Sequence, residues 1–210
     1  MKDKIFVFGA SGHAKAVIDI IEQQGLYKVV LLADDDTTLK DTVVYGYSVI
    51  GGKTELLESE IRRGVVAIGC NKARRSVTSW LTDNGFELIS AIHPVAQLAR
   101  GVSIGDGTVI MAGAVINSDA SVGNGVIINT RTCVDHDCTI GDFCHIAPGV
   151  TICGTVSIGQ RTLISAGVTI GPNVCIGSDV VIGAGSTVLN NIPNHSFAVG
   201  TPAKVLKKRS

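Results

Sequence analysis

Aromatic residues are scarce in this chain of 210 residues, at only 4%, so its core is expected to rest on aliphatic residues more than on rings. Charge of one sign is also missing: 18 Lys and Arg balance 18 Asp and Glu. That balance removes the electrostatic reason to expect a nucleic acid or an anionic membrane as partner. No apolar run approaches the roughly 18 residues that a membrane-spanning helix needs. The longest run, residues 29–33, has the length of a strand. No C-x-x-C pair occurs among Cys70, Cys133, Cys138, Cys144, Cys153 and Cys175, so a zinc site is not expected. The opening MKDKIFVFGASGH enters a strand pattern without the apolar segment of a secretion signal. A cytoplasmic chain with reduced, mostly buried thiols is therefore expected. What is abundant is Val and Ile within a 45% hydrophobic composition, which suits sheet interiors.

The second half of the chain repeats with period six. Leu98, Ile104, Ile110, Ile116, Val122, Ile128, Val134, Ile140, Ile146, Ile152, Ile158, Ile164, Ile170, Ile176, Ile182 and Val188 form an aliphatic column without a slip. Four residues after each stands a small or β-branched residue, from Val102 and Thr108 through Cys138 and Cys144 to Ser186. A helix would need spacing near 3.6 and a flat strand spacing of two. Period six fits a short strand and a turn, with three such sides closing a triangular coil of 18 residues. The large residue enters the prism, the small one fills the corner, and Gly or Asn supplies turns of positive φ. This is the hexapeptide form of the left-handed parallel β-helix. Cys138 and Cys144 fall in the small inward column as core filler; Cys133, Cys153 and Cys175 receive no role.

Residues 1–92 read as a small α/β domain of Rossmann-like type, and 93–210 as the β-helix with a C-terminal tail. Strands are expected over 4–8, 28–33, 65–69 and 86–92, with helices over 14–24 and 73–84. Alternation of this kind implies a parallel sheet with crossover helices, and ligands at the carboxyl ends of its strands. Three segments fall there: Gly9-Ala10-Ser11-Gly12-His13, Asp34-Asp35, and Gly69 to Asn71. The first departs from G-x-G-x-x-G at Ser11, which disfavours a dinucleotide, but a glycine turn before a helix suits a phosphate or sugar nucleotide. The alternative is a plain β–α turn capped by Ser11.

One stretch of the β-helix carries chemistry: Asn129-Thr130-Arg131-Thr132-Cys133-Val134-Asp135-His136-Asp137, followed by His145. His136 lies two residues after the inward Val134 and points outward, with Asp137 beside it. A carboxylate next to an imidazole fixes its tautomer, and a neutral imidazole can take a proton from an attacking amine or hydroxyl. One coil later, Gly154 stacks on the His136 column, where its N–H is a candidate donor to a developing oxyanion.

These residues, with Ile140-Gly141-Asp142-Phe143, the leading Gly9-Ala10-Ser11-Gly12-His13 and the closing Val199-Gly200-Thr201-Pro202-Ala203-Lys204, resemble the hexapeptide-repeat sugar O- and N-acyltransferases. That family includes sialic acid O-acetyltransferases and UDP-4-amino-sugar N-acetyltransferases. The resemblance implies an acetyl-CoA-dependent acetyltransferase, with His136 as general base and Asp137 as the acidic neighbour. It implies His145 near the thioester, backbone contacts to coenzyme A near Ala166 and Ala184, and sugar-nucleotide contacts from Ser11, Gly12, His13, Asp34 and Asp35. It also implies a homotrimer with each active site between adjacent β-helices. A UDP-linked 4-amino sugar is the favoured acceptor; O-acetylation of a sugar such as sialic acid and a catalytically silent sugar-nucleotide-binding β-helix are the rivals. A γ-class carbonic anhydrase would need three zinc histidines, which His136 and His145 do not supply.

Overall fold

The computed structural model describes residues 2–208 and divides into two compact units, Met1–Pro94 and Val95–Ser210. The boundary falls two residues after the expected one.

The first unit runs β1 (Asp3–Phe8), α1 (Gly12–Gln24), β2 (Tyr27–Ala33), β3 (Val43–Val44), β4 (Tyr47–Ser48), α2 (Lys53–Glu58), β5 (Arg63–Val66), α3 (Asn71–Asp83), β6 (Glu87–Leu88) and β7 (Ala91–Ile92). Its parallel sheet has the order β2-β1-β5-β6. Ile5, Phe6, Val7 and Phe8 are all buried, the continuous apolar run of a central parallel strand covered on both faces. Ala14, Val17, Ile18 and Ile21 give α1 its buried stripe, and Gly25 ends it at φ 71, donating its N–H to Ile21 O.

Differences from the expected elements have local causes. The helix expected over 14–24 begins at Gly12, and the strand expected over 65–69 stops at Val66 because the chain there turns toward α3. The strand expected over 86–92 is two short ones. A β3–β4 hairpin and α2 went unread. The hairpin turns on Tyr45 and Gly46 at φ 53 and 83, a type I′ geometry without the Asn-Gly signature that would announce it.

The second unit is the β-helix. Two-residue strands run from β8 (Gln97–Leu98) to β23 (Thr187–Val188), followed by an antiparallel pair, β24 (Ser196–Gly200) and β25 (Ala203–Lys208), where a tail was expected. Each rung pairs in parallel with the rung one coil later, as in Val115↔Cys133, Cys133↔Thr151 and Thr151↔Thr169. Three faces result: β10, β13, β16, β19 and β22 on the first; β8, β11, β14, β17, β20 and β23 on the second; β9, β12, β15, β18 and β21 on the third.

Ile110, Ile116, Ile128, Val134, Ile146, Ile152, Ile164 and Ile170 are fully buried, each contributing about 1.5–3 kcal/mol. Leu98 departs from the column: on the terminal strand of its face, it remains 37% exposed. The small column also satisfies backbone. Thr108 donates to Gly123 O at 2.8 Å and Thr162 to Gly177 O at 2.8 Å, and the thiols of Cys138 and Cys144 reach the carbonyls of Cys153 and Gly159 in the same way. The two cysteines thus act as threonine equivalents, and burial pushes the Cys138 thiol up. Among the described residues no helix is long and apolar enough to cross a membrane.

Candidate active site

In the first unit the three expected segments follow the carboxyl ends of β1, β2 and β5. The chain passes from β1 to β2 on one side and returns to β5 on the other, so the topological switch point, where such sheets bind ligands, lies between β1 and β5. Gly9 is required there. At φ 117 it donates to Ala33 O at 2.7 Å, and a Cβ would fall 2.6 Å from Ala67 O. Asp34 binds the turn: Oδ2 accepts from Ala10 N at 2.8 Å and Oδ1 from Asp36 N at 2.9 Å. Asp35 pairs with Lys53 at 2.6 Å. Ser11 occupies the N-cap position of α1, but its side chain makes no capping bond, so the capping alternative fails; the residue is exposed. Gly12 is exposed and His13 half-buried.

Gly69 and Asn71 are positioned by a residue that the sequence reading missed. Arg74 on α3 is 1% exposed. Its Nη1 donates to Ile68 O and Gly69 O at 2.9 and 3.1 Å, and its Nη2 to Asn71 Oδ1 at 2.9 Å. A planar five-donor group satisfies a sharp loop as no other side chain can. Nothing in the sequence distinguished it from the neighbouring Lys72 and Arg75.

In the second unit, His136 stands at the corner between the second and third faces, after β14 (Cys133–Val134) and before β15 (Thr139–Ile140). Its Nδ1 lies 2.7 Å from Asp137 Oδ2, and both side chains are more than half exposed. Asp137 holds φ 58, the left-handed corner conformation that Asp tolerates. The hydrogen bond to Asp137, helped by the charge of Asp135, raises the imidazole above its ordinary value of 6.5. Gly154 lies against the ring: a Cβ there would sit 2.6 Å from Cε1 and 2.7 Å from Nε2. Gly154 N–H makes no hydrogen bond among the described residues, whereas the next amide, Thr155 N–H, is taken by His136 O at 2.9 Å.

His145 is elsewhere. It lies on β16 (His145–Ile146) of the first face, nine residues or half a coil from His136, on the side of the prism opposite the His136 corner. Asn129, unassigned from sequence, supports it. Asn129 Oδ1 accepts from Thr130 N at 2.8 Å, which turns its amide nitrogen toward His145 Nε2 at 3.2 Å. Ala166 and Ala184 are exposed and stacked at the corner that follows this face, linked by Gly185 N–H to Ala166 O at 2.9 Å. Within one chain, then, His136, Asp137 and Gly154 come together, and His145, Ala166 and Ala184 do not join them. Among the described residues no group of three or more His, Cys, Asp or Glu is placed to hold a metal ion.

Residues 4–81 match the PglD N-terminal domain family, and residues 119–154 and 155–190 the bacterial transferase hexapeptide family. The fold superposes on a histidine-to-asparagine mutant of perosamine N-acetyltransferase from Caulobacter crescentus, solved with CoA and GDP-perosamine. Identity is 37%, coverage 98% of this chain and 97% of that one, and the TM-score 0.92. It superposes as well on the acetyltransferase domain of PglB from Neisseria gonorrhoeae with acetyl coenzyme A, at 37% identity, 98% and 100% coverage and TM-score 0.89. A UDP-N-acetylbacillosamine N-acetyltransferase from Bacillus subtilis is 32% identical over 114 residues. That match spans about half of each chain, at 51%.

Proposed function

This chain belongs to the hexapeptide-repeat sugar O- and N-acyltransferases, and from that premise we propose that it transfers acetyl from acetyl-CoA to the amino group of a nucleotide-linked 4-amino sugar. The observation that carries this reading is the corner of His136, Asp137 and Gly154: an imidazole of raised basicity beside an unused backbone donor. His136 takes the proton of the amine as its nitrogen attacks the thioester carbonyl. Gly154 N–H stabilises the oxyanion of the tetrahedral intermediate, which collapses with loss of the CoA thiolate. The β1–β5 switch point of the first unit holds the nucleotide, with Ser11, Gly12, His13, Asp34, Asp35, Gly69 and Asn71 around it. UDP is the favoured nucleotide and an amine the favoured acceptor; the similarity to a UDP-N-acetylbacillosamine N-acetyltransferase and to a perosamine N-acetyltransferase bound to GDP-perosamine supports a nucleotide-linked amino sugar. The six free thiols suit the cytoplasm.

His136 and His145 cannot serve one acyl group from opposite sides of a single prism. A homotrimer in which His136 of one copy faces His145 of the next, with coenzyme A along Ala166 and Ala184, reconciles them. The test is a thiol-release assay with acetyl-CoA against UDP- and GDP-linked 4-amino sugars and sialic acid. Turnover with a UDP-linked amino sugar, lost in His136→Ala, is the expected result. Near-normal turnover of that variant at saturating substrate overturns the base assignment, and turnover of sialic acid alone overturns the amine.

A further inference from the structure

The residue before His136 occupies a column whose chemistry is free to vary. At the same step of successive coils stand Asn117, Asp135, Cys153 and Gly171, and all four coils form the same corner. At the neighbouring corner, Asn129 makes the equivalent bond to the next backbone N–H with an uncharged amide. The fold therefore needs no carboxylate here. At 135 it has one, and it is held from two sides: Oδ1 accepts His136 N–H at 2.9 Å and Asn117 Nδ2 at 3.1 Å. Oδ2 makes no hydrogen bond among the described residues, so its charge is not spent on the turn.

We propose that Asp135, resting on the reading of His136 as general base, is a positioning residue for that base: it fixes the His136 backbone and supplies a second negative charge to the imidazole. The titratable groups facing this corner are few. Asp137 contacts the ring directly. Asp119, one coil below, turns its carboxylate over Gly101, where a Cβ would meet Asp119 Oδ1. Cys153 lies one coil above and is half-buried. Asp135 is thus the second carboxylate acting on His136, consistent with the direction in which it displaces the imidazole. Two acceptors divide the work: Asp137 orients the ring through Nδ1, and Asp135 anchors the backbone from which the ring projects.

The substitutions Asp135→Asn and Asp135→Ser keep an oxygen for His136 N–H and remove the charge. The imidazole of His136 is titrated by NMR in each, and kcat/KM is measured against pH with acetyl-CoA and the amino-sugar acceptor. The expected result is a downward shift of the imidazole titration and an equal shift of the acidic limb of kcat/KM. The plateau falls roughly three- to tenfold, with KM for acetyl-CoA and thermal unfolding unchanged. An unshifted titration in both variants overturns the proposal. A titration that moves while the kcat/KM limb stays supports the field of Asp135 and removes the base role from His136, so the two readings fail separately.

Discussion

A Cβ on Gly154 would fall 2.6 Å from His136 Cε1: the imidazole of one coil rests on the backbone of the next, at a position where only hydrogen fits. Gly154 has no positive φ, so alanine is compatible with its backbone and clashes only with the ring. Gly154→Ala is expected to leave stability within about 0.5 kcal/mol and to lower kcat/KM about 100-fold by displacing the base. Wild-type kcat/KM in this variant would mean that the ring does not act from where it lies. Gly154→Pro removes the N–H but also carries a Cβ into the ring, so it cannot isolate the oxyanion donor. Replacing the 153–154 amide by an ester removes the donor alone. A fall in kcat of ~100-fold is expected, and an unchanged kcat excludes Gly154 from the oxyanion hole.

The sign of the pH dependence follows from Asp137. The base must be neutral, and its value is raised, so the acidic limb of kcat/KM lies above 6.5 in the wild type. Asn at 137 tolerates the left-handed corner but loses the charge that stabilises the protonated ring. In Asp137→Asn the limb moves to lower pH and the plateau drops, because the base deprotonates earlier and is weaker. A limb that moves up, or does not move, contradicts the pairing.

Arg74 gives the first unit its own test. Removing a buried group that satisfies three acceptors strands those acceptors, at a cost of ~2–4 kcal/mol. Arg74→Met is expected to show that loss in denaturant unfolding and to raise KM for the sugar nucleotide severalfold, with KM for acetyl-CoA unchanged. Equal changes in both KM values would mean that the Gly69–Asn71 loop does not belong to the nucleotide site.

The architecture was legible because period six recurs through column residues such as Ile110, Val134 and Ile164 without interruption, and only a coil with three sides gives it. The outward direction of His136 followed from the same count. Contacts that depend on side-chain reach were not legible. Arg74 looks in sequence like any helix cation; its role appears only once the loop before α3 brings the carbonyls of Ile68 and Gly69 to its guanidinium. Asn129 and Asp135 stood inside the quoted motif without a role, because their partners, His145 and Asn117, lie 16 and 18 residues away. Ser11 is the reverse case: local pattern offered a cap as the alternative to a ligand contact, and the hydroxyl does not make one.

The half-coil between His136 and His145 yields the sharpest test of the assembly. If each site takes His136 from one copy and His145 from its neighbour, then His136→Ala and His145→Ala destroy complementary halves. Each variant alone has no complete site. Co-refolded in equal amounts, copies assort at random, and a site has an intact His136 on one side and an intact His145 on the other in about a quarter of cases. Activity should rise from the residual level of the separate variants to about a quarter of wild type, and mixing without refolding should give nothing. If both histidines of one chain served the same site, no mixture could restore it, because every chain lacks one of them. Absence of recovery in trimers shown to be mixed, by co-purification through an affinity tag carried by one variant only, would therefore place both histidines in one copy's site, or remove His145 from the acyl pocket. Recovery would establish that the active site is made between chains.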